Sequence, residues 1–255
     1  MNTEYIDTLR KEYIENHKRE QIREELIHEN HVEKRDVIGY HGREILELLQ
    51  NADDAYQKSI DQGNRPGDNL IVEISYIDDC LKISNTGTFF DEDGIKAIVQ
   101  GNNSPKKGKY IGNKGTGFRS ILNWASAVRI YSGEFAVEFS KSYAKEIFDT
   151  IKDTPQIAKQ LQREKTLYIP MLAVPRNIPH DRPIDRTTIE VDVDPKKSQD
   201  EYSVGKQLET IDLRILLFLP NVSEISITTD DKHVVYQRSK TDSLIEYDFS
   251  WSDIT

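Results

Sequence analysis

Three side chains able to do chemistry recur at helical spacing in ELLQNADDAYQKS: Glu47, Asn51 and Asp54. At about 100° per residue, Asn51 falls about 40° from Glu47 and Asp54 about 20° to its other side, so on a helix all three share one narrow face. Ile45, Leu48, Leu49, Ala52 and Ala55 take the opposite side. A carboxylate beside an amide and a second carboxylate can accept a proton, orient a water or offer oxygen to a hard cation. By itself the pattern is equally that of a solvated face on an amphipathic helix.

A second stretch, GNKGTGF at 112–118, is a G-x-x-G-x-G loop leading towards a helix. Glycines there let successive backbone N–H groups approach an anion, with phosphate the natural guest. From Ser104 to Arg119 the chain carries Lys106, Lys107, Lys109, Lys114 and Arg119 and no acidic residue. In ISNTGTFF, Asn85-x-Gly87 directly follows a strand pattern; a side chain fixed at a strand end can reach the edge of a base, and glycine lets a ring come close. Two better-known phosphate loops are excluded. No G-x-x-x-x-G-K-[ST] run exists, and no G-x-G-x-x-G follows a strand, so neither a P-loop nor a dinucleotide-binding βαβ unit is supported.

The elements that must position these residues follow from periodicity. Residues 3–29 predict a charged amphipathic helical extension, lying on its own domain or reaching a partner subunit. GYHGREILELLQNADDAYQKSI (39–60) predicts a helix ended by the turn-rich 62–69 segment. LIVEISY and CLKIS alternate around Asp78-Asp79 and predict a β-hairpin. Asp91 can cap a short helix over GIKAIVQG, and FRSILNWAS predicts another helix. AVRIYSG and EFAVEFS read as strands, and 141–183 as a polar, proline-punctuated insertion with a helix at 155–165. TTIEVDV returns to strand alternation, 201–220 reads as helical, and SEISITT, HVVYQRS and SLIEYDF read as closing edge strands. The expected organisation is a helical extension over 1–35 and one domain over 36–255, with 200–255 supplying a helix plus closing strands. This order fits an α+β, two-layer sandwich: a mixed, mostly antiparallel sheet with helices on one face.

Composition narrows the function classes. Hydrophobic residues make up 36% and charged residues 31%, a balance suited to a folded chain with a heavily charged surface. The net charge of -10 argues against direct nucleic-acid contact by this module. The single cysteine, Cys80, leaves no disulfide framework and no cysteine metal site, and the six histidines show no zinc spacing. IDLRILLFLP is too short to span a bilayer and the N-terminus lacks an apolar signal core, so a cytoplasmic location without membrane partners is expected. The chain stops just after a strand pattern, which reads as a piece of something longer.

Taken in order, E-x-x-x-N-x-x-D-A (47–55), N-x-G (85–87), G-x-x-G-x-G-F (112–118) and T-x-I (187–189) resemble the Bergerat-fold ATPases. That GHKL superfamily includes DNA gyrase, the ninety-kilodalton heat-shock chaperone, histidine kinases and MutL. ELLQNADDA, IGNKGTGFRSI and LLFLPNV look most like the N-terminal ATP-binding modules of sacsin and sacsin-like multidomain proteins, over about residues 36–230. The resemblance implies ATP and Mg²⁺, with Glu47 as general base and Asn51 giving an oxygen to Mg²⁺. Asp54 would line the nucleotide site. Gly115, Thr116, Gly117 and Phe118 would turn backbone N–H groups to the phosphates, with Lys114 as charge partner. Asn85 and Gly87 would meet the base, and Thr187 would close the pocket.

Two departures accompany it. Asn85 stands where most of the superfamily has aspartate, which keeps an acceptor but loses the charge. Arg186 stands where a glycine usually precedes the threonine. Histidine kinases normally lack the glutamate, so Glu47 implies hydrolysis by water. The implied activity is that of a chaperone-like, Mg²⁺-dependent ATP hydrolase whose cycle moves further domains or a second subunit, in protein remodelling or bacterial anti-phage defence. The other reading is an ATP-binding switch or scaffold with little turnover.

Overall fold

The predicted hairpin forms between β1 (Leu70–Ile77) and β2 (Cys80–Asn85). Its two connecting residues, Asp78 and Asp79, take φ of 51° and 57°. Left-handed backbone at both central positions is the turn whose twist matches the flanking strands, and aspartate tolerates it better than most residues. The computed structural model describes residues 3–18, 25–39, 41–63, 69–100, 116–163, 167–198, 200–240 and 247–253.

Seven further strands join this hairpin. They are β3 (Ala125–Ser132), β4 (Phe135–Ser140), β5 (Arg176–Asn177), β6 (Thr187–Val193), β7 (Val222–Thr229), β8 (His233–Lys240) and β9 (Tyr247–Asp253). The sheet order is β5-β4-β3-β6-β2-β1-β7-β8-β9. All neighbours are antiparallel except β1 and β7, which run parallel. The result is an α+β protein with a mixed, mostly antiparallel sheet, as the alternation of the segments predicts.

Register gives the sheet two unlike faces. One row runs Val137, Ile130, Ile189, Ile83, Ile74, Ile227, Val234 across seven adjacent strands, and every member is buried. On the opposite pleat, Arg176, Glu138, Arg129, Glu190 and Lys82 alternate in sign across five strands. Burial of each branched side chain is worth about 1.5–3 kcal/mol, whereas opposed charges on neighbouring strands contribute about 0.2–1 kcal/mol each. The apolar row therefore sets which face receives other elements.

The helices are α1 (Thr3–His17), α2 (Glu25–Gly39), α3 (Glu44–Asp61), α4 (Glu92–Gln100), α5 (Thr116–Arg119), α6 (Lys141–Ile151), α7 (Pro155–Arg163) and α8 (Val204–Thr210). Ile6 and Leu9 of α1, Leu48 and Leu49 of α3, Ile95 and Ile98 of α4, and Val204 and Leu208 of α8 share one buried cluster with the apolar row. Asp91 caps α4 as expected, its Oδ1 accepting from Gly94 N at 2.7 Å. A second cluster joins Leu26 of α2 to Tyr143, Ala144, Ile147 and Ile151 of α6 and to Ile157, Leu167 and Ile169. The N-terminal helices and the 141–174 region thus pack on each other.

Three local readings are corrected. The 201–220 helix is broken: α8 ends at Thr210, Ile211 and Asp212 are extended, and a 3-10 turn spans Leu213–Leu217. Asp212 is responsible, since its Oδ1 accepts from Arg214 N at 2.9 Å and starts a new turn. FRSILNWAS supplies only the single turn α5 and a 3-10 turn over Ser120–Asn123, because pairing of β3 with β6 claims the chain from Ala125. The 141–183 segment holds α6 in addition to the expected helix, capped by Ser140 and buried at Tyr143, Ala144, Ile147 and Ile151.

Candidate functional site

Helix α3 buries Ile45, Leu48, Leu49, Ala52 and Tyr56. Glu47, Asn51 and Asp54 are left on the partly exposed side, as their helical angles require. The Glu47 side chain is 12% exposed, with Oε1 3.8 Å from Arg43 Nη2, one turn earlier. Burial raises its carboxyl above the ordinary range; Arg43 pulls it back and the nearby Asp54 charge pushes it further up. The Asn51 side chain makes no hydrogen bond among the described residues.

Gly117 faces Glu47. A Cβ built on it would overlap Glu47 Oε2 and stand 3.4 Å from the carboxyl carbon. Gly117, the last glycine of the motif, therefore lies against the general-base candidate. Thr116 opens α5, while the Phe118 ring is buried in the core and anchors the turn, leaving only its backbone for a ligand. Lys114 and Gly115 lie outside the described residues, as do Lys106, Lys107 and Lys109. Arg119, counted with those lysines as a cation around the loop, does not face an anion site. It is 5% exposed, and its Nη1 donates to the Ile98 carbonyl at 3.2 Å.

Asn85 and Thr187 are brought together by register. They are direct partners on β2 and β6, and Ser132 of β3 pairs Thr187 on its other side. The row through them reads Phe135, Ser132, Thr187, Asn85, Val72, Ile225, Tyr236. It is apolar at both ends and polar over the three middle strands, and all three polar members are buried. The Ser132 and Thr187 hydroxyls lie 2.6 Å apart, and Ser132 Oγ also accepts from Phe90 N at 2.9 Å. Ser132 was missed in the sequence, where it ends an ordinary strand; only register marks it.

The turn after β2 is held from both sides. Asn85 Oδ1 accepts from Gly87 N at 3.0 Å, an Asx turn, so the oxygen expected to read a base is shared with the chain's own backbone. The bare Cα of Gly87 faces Asn85 and Leu70: a Cβ there would stand 3.0 Å from Asn85 Oδ1 and from Leu70 Cδ1. Thr88 Oγ1 donates to the Ala55 carbonyl at 3.1 Å, which fastens this turn to α3. Glu47 and Ala55 are about 12 Å apart along the helix axis. One helix thus bridges the Gly117 contact and the polar strand ends, with Asn51 and Asp54 between them.

Two neighbouring acids have other tasks. Asp53 is buried on the far side of α3, its Oδ1 accepting from Asn221 N at 2.8 Å and its Oδ2 from Asn221 Nδ2 at 3.1 Å. Glu44 is fully buried and accepts from Gln207 Nε2 at 2.6 Å and Asn123 Nδ2 at 2.8 Å. Both fasten α3 to its neighbours. Arg186 is paired with Glu73 Oε2 at 2.9 Å, outside the polar row.

Among the described residues no group of three or more His, Cys, Asp or Glu side chains could hold a metal ion by itself. No helix among them is long and apolar enough to cross a membrane. No family model matches the chain, and the search of curated proteins finds no match.

Proposed function

We propose that this chain is a Bergerat-type, sacsin-like module that binds Mg²⁺-ATP and hydrolyses it to ADP and phosphate. The observation that carries the reading is the contact between Gly117 and Glu47: the backbone at Gly117 lies against a carboxylate that is 12% exposed. The oxygen-rich face of Glu47, Asn51 and Asp54 suits a hard cation.

In this reading the nucleotide lies along α3, with its phosphates at the Gly117 end and its base at Asn85 and Thr187. Backbone N–H groups of Gly117 and Phe118 receive phosphate oxygens. Glu47 takes a proton from the attacking water as the new oxygen–phosphorus bond forms and the bond to ADP breaks; the proton ends on the carboxylate. A carboxyl raised by burial is a better base than an ordinary one, and such a base contributes about 10²–10⁴-fold. Asn51 would hold magnesium, which when bound neutralises phosphate charge. Asn85 offers the base an amide, with its oxygen partly committed to Gly87.

The second reading, an ATP-binding switch with little turnover, draws on the cations. Arg119 is buried against Ile98, and Arg43 lies beside the Glu47 carboxylate rather than at a phosphate. Beyond Lys106, Lys107, Lys109 and Lys114, which lie outside the described residues, a further domain or a second subunit would then supply positive charge. Phosphate release measured with wild type and Glu47→Ala, alongside calorimetry with ATP, ADP and GTP with and without Mg²⁺, separates the readings. Release lost in Glu47→Ala with binding kept supports hydrolysis. Equal low release in both supports the switch, and no nucleotide binding at all removes both.

A further inference from the structure

Of the three buried polar side chains at the strand ends, two have no fixed hydrogen-bonding sense. Ser132 and Thr187 meet hydroxyl to hydroxyl at 2.6 Å, and either can donate. A hydroxyl proton turns to suit what it meets, so Thr187 can serve a donor or an acceptor on a ligand equally. Ser132 Oγ also accepts from Phe90 N, which occupies one lone pair and leaves the choice at Thr187 open. Asn85, the register partner of Thr187, is different. An amide has an acceptor at one end and two donors at the other, and the ends exchange only if the group turns over.

Asn85 is held against turning over. The Gly87 backbone N–H can only donate, so the atom 3.0 Å from it has to be Oδ1. The reverse orientation would set N–H against N–H at a residue only 7% exposed and leave the Gly87 donor without an acceptor. The turn also closes in on the oxygen: a Cβ on Gly87 would stand 3.0 Å from Asn85 Oδ1 and from Leu70 Cδ1. Thr88 fastens the same turn to α3 through the Ala55 carbonyl. Nδ2 is what remains, and it makes no hydrogen bond among the described residues. Across the row from Thr187 its neighbour is Val72 of β1, which offers no polar side chain.

The end of Asn85 left for a ligand is therefore a donor. At C6 adenine carries an amino group, a donor, where guanine and hypoxanthine carry an oxo group, an acceptor. We propose that Asn85 sets the base class of the site, and that the strand ends take a 6-oxo purine nucleotide at least as readily as a 6-amino one. This rests on the nucleotide reading above and widens it from ATP to GTP and ITP. Nδ2 facing a C6 oxo group joins donor to acceptor. Facing a C6 amino group it sets donor against donor, and one of the two is left without a partner in a buried place. An aspartate at the same position would keep one oxygen on Gly87 N and offer the other to the base, which reverses the sense. Thr187 stays neutral between the two.

The test measures Kd for Mg²⁺-ATP, Mg²⁺-GTP and Mg²⁺-ITP by calorimetry on the full chain, as wild type and as Asn85→Asp. ITP differs from ATP only at C6 and the adjoining N1, so it isolates this contact from the 2-amino group of guanine. Wild type is expected to bind ITP and GTP at least as tightly as ATP. Asn85→Asp is expected to shift the ratio of the ITP and ATP Kd values by about ten-fold in favour of ATP. A merely structural Asn85 would weaken all three nucleotides alike and leave that ratio unmoved. Wild type that binds ATP ten-fold or more tighter than both ITP and GTP, or a ratio that Asn85→Asp does not move, overturns the proposal and leaves the nucleotide reading standing. The wild-type ratio decides even where Asn85→Asp fails to fold. Binding of none of the three removes the nucleotide reading, and the base class with it.

Discussion

Gly117 and Glu47 are 70 positions apart and touch where a Cβ on the glycine would overlap the carboxylate oxygen Oε2. Gly117→Ala should therefore displace the Glu47 carboxylate, the far end of a flexible side chain, at a stability cost below the ~1–3 kcal/mol typical of overpacking a rigid core. Glu47→Ala in the same chain should relieve most of that cost. Urea unfolding of the two single variants and the double one checks this, and strictly additive costs would mean that the contact is not the source.

Glu47 carries the chemistry in the proposed reaction. Glu47→Gln should keep Mg²⁺-ATP binding while lowering phosphate release by about 10²–10⁴-fold, the usual worth of a general base. Release unchanged by the substitution would assign any turnover to another group.

The same residue has a signature in stability against pH. Burial raises its carboxyl in the folded state, so stability is fully present below the ordinary carboxylate range and falls as pH rises through the raised folded value. Glu47→Gln escapes that loss. It should be more stable than wild type at about pH 8 and gain nothing at about pH 3, where wild type is protonated in both states. Urea midpoints at the two pH values decide; an increment of equal size at both would contradict the assignment.

Asp53 and Asp54 separate structure from site. Asp53→Ala strands Asn221 N–H groups and should cost about 1–3 kcal/mol of stability without changing the affinity for ATP. Asp54→Ala should weaken ATP. Thermal melts and calorimetry on the pair distinguish the two roles, and matching behaviour would mean that α3 is rotated from the position described.

Asn51→Ala should weaken Mg²⁺-ATP and shrink the thermal shift that ligand binding gives, since a ligand at 100 times its Kd adds about 2.7 kcal/mol. A shift equal to that of wild type would remove Asn51 from the metal site.

The sequence by itself determined what depends on neighbours a few positions away. Alternation over 70–76 and 80–84 around Asp78-Asp79 specified a hairpin, because the pleat period and the turn chemistry are both local. Helical spacing put Glu47, Asn51 and Asp54 on one face and Leu48, Leu49 and Ala52 on the other for the same reason. Local pattern was insufficient where an isolated side chain redirected the backbone, as Asp212 does in splitting 201–220, or where pairing in the sheet outweighed helix propensity, as at Ala125.

Tertiary structure alone decided which distant residues meet. Register across β3, β6 and β2 lined up Ser132, Thr187 and Asn85, and no property of those segments taken singly selects Ser132. It also decided that of the adjacent acids Asp53 turns inward to Asn221, and that Arg119, one of five basic residues in its stretch, is buried against α2 and α4. The physical reason is common to all three: periodicity says how a residue is oriented within its own element, whereas charge, contact and burial depend on which other element is packed against it.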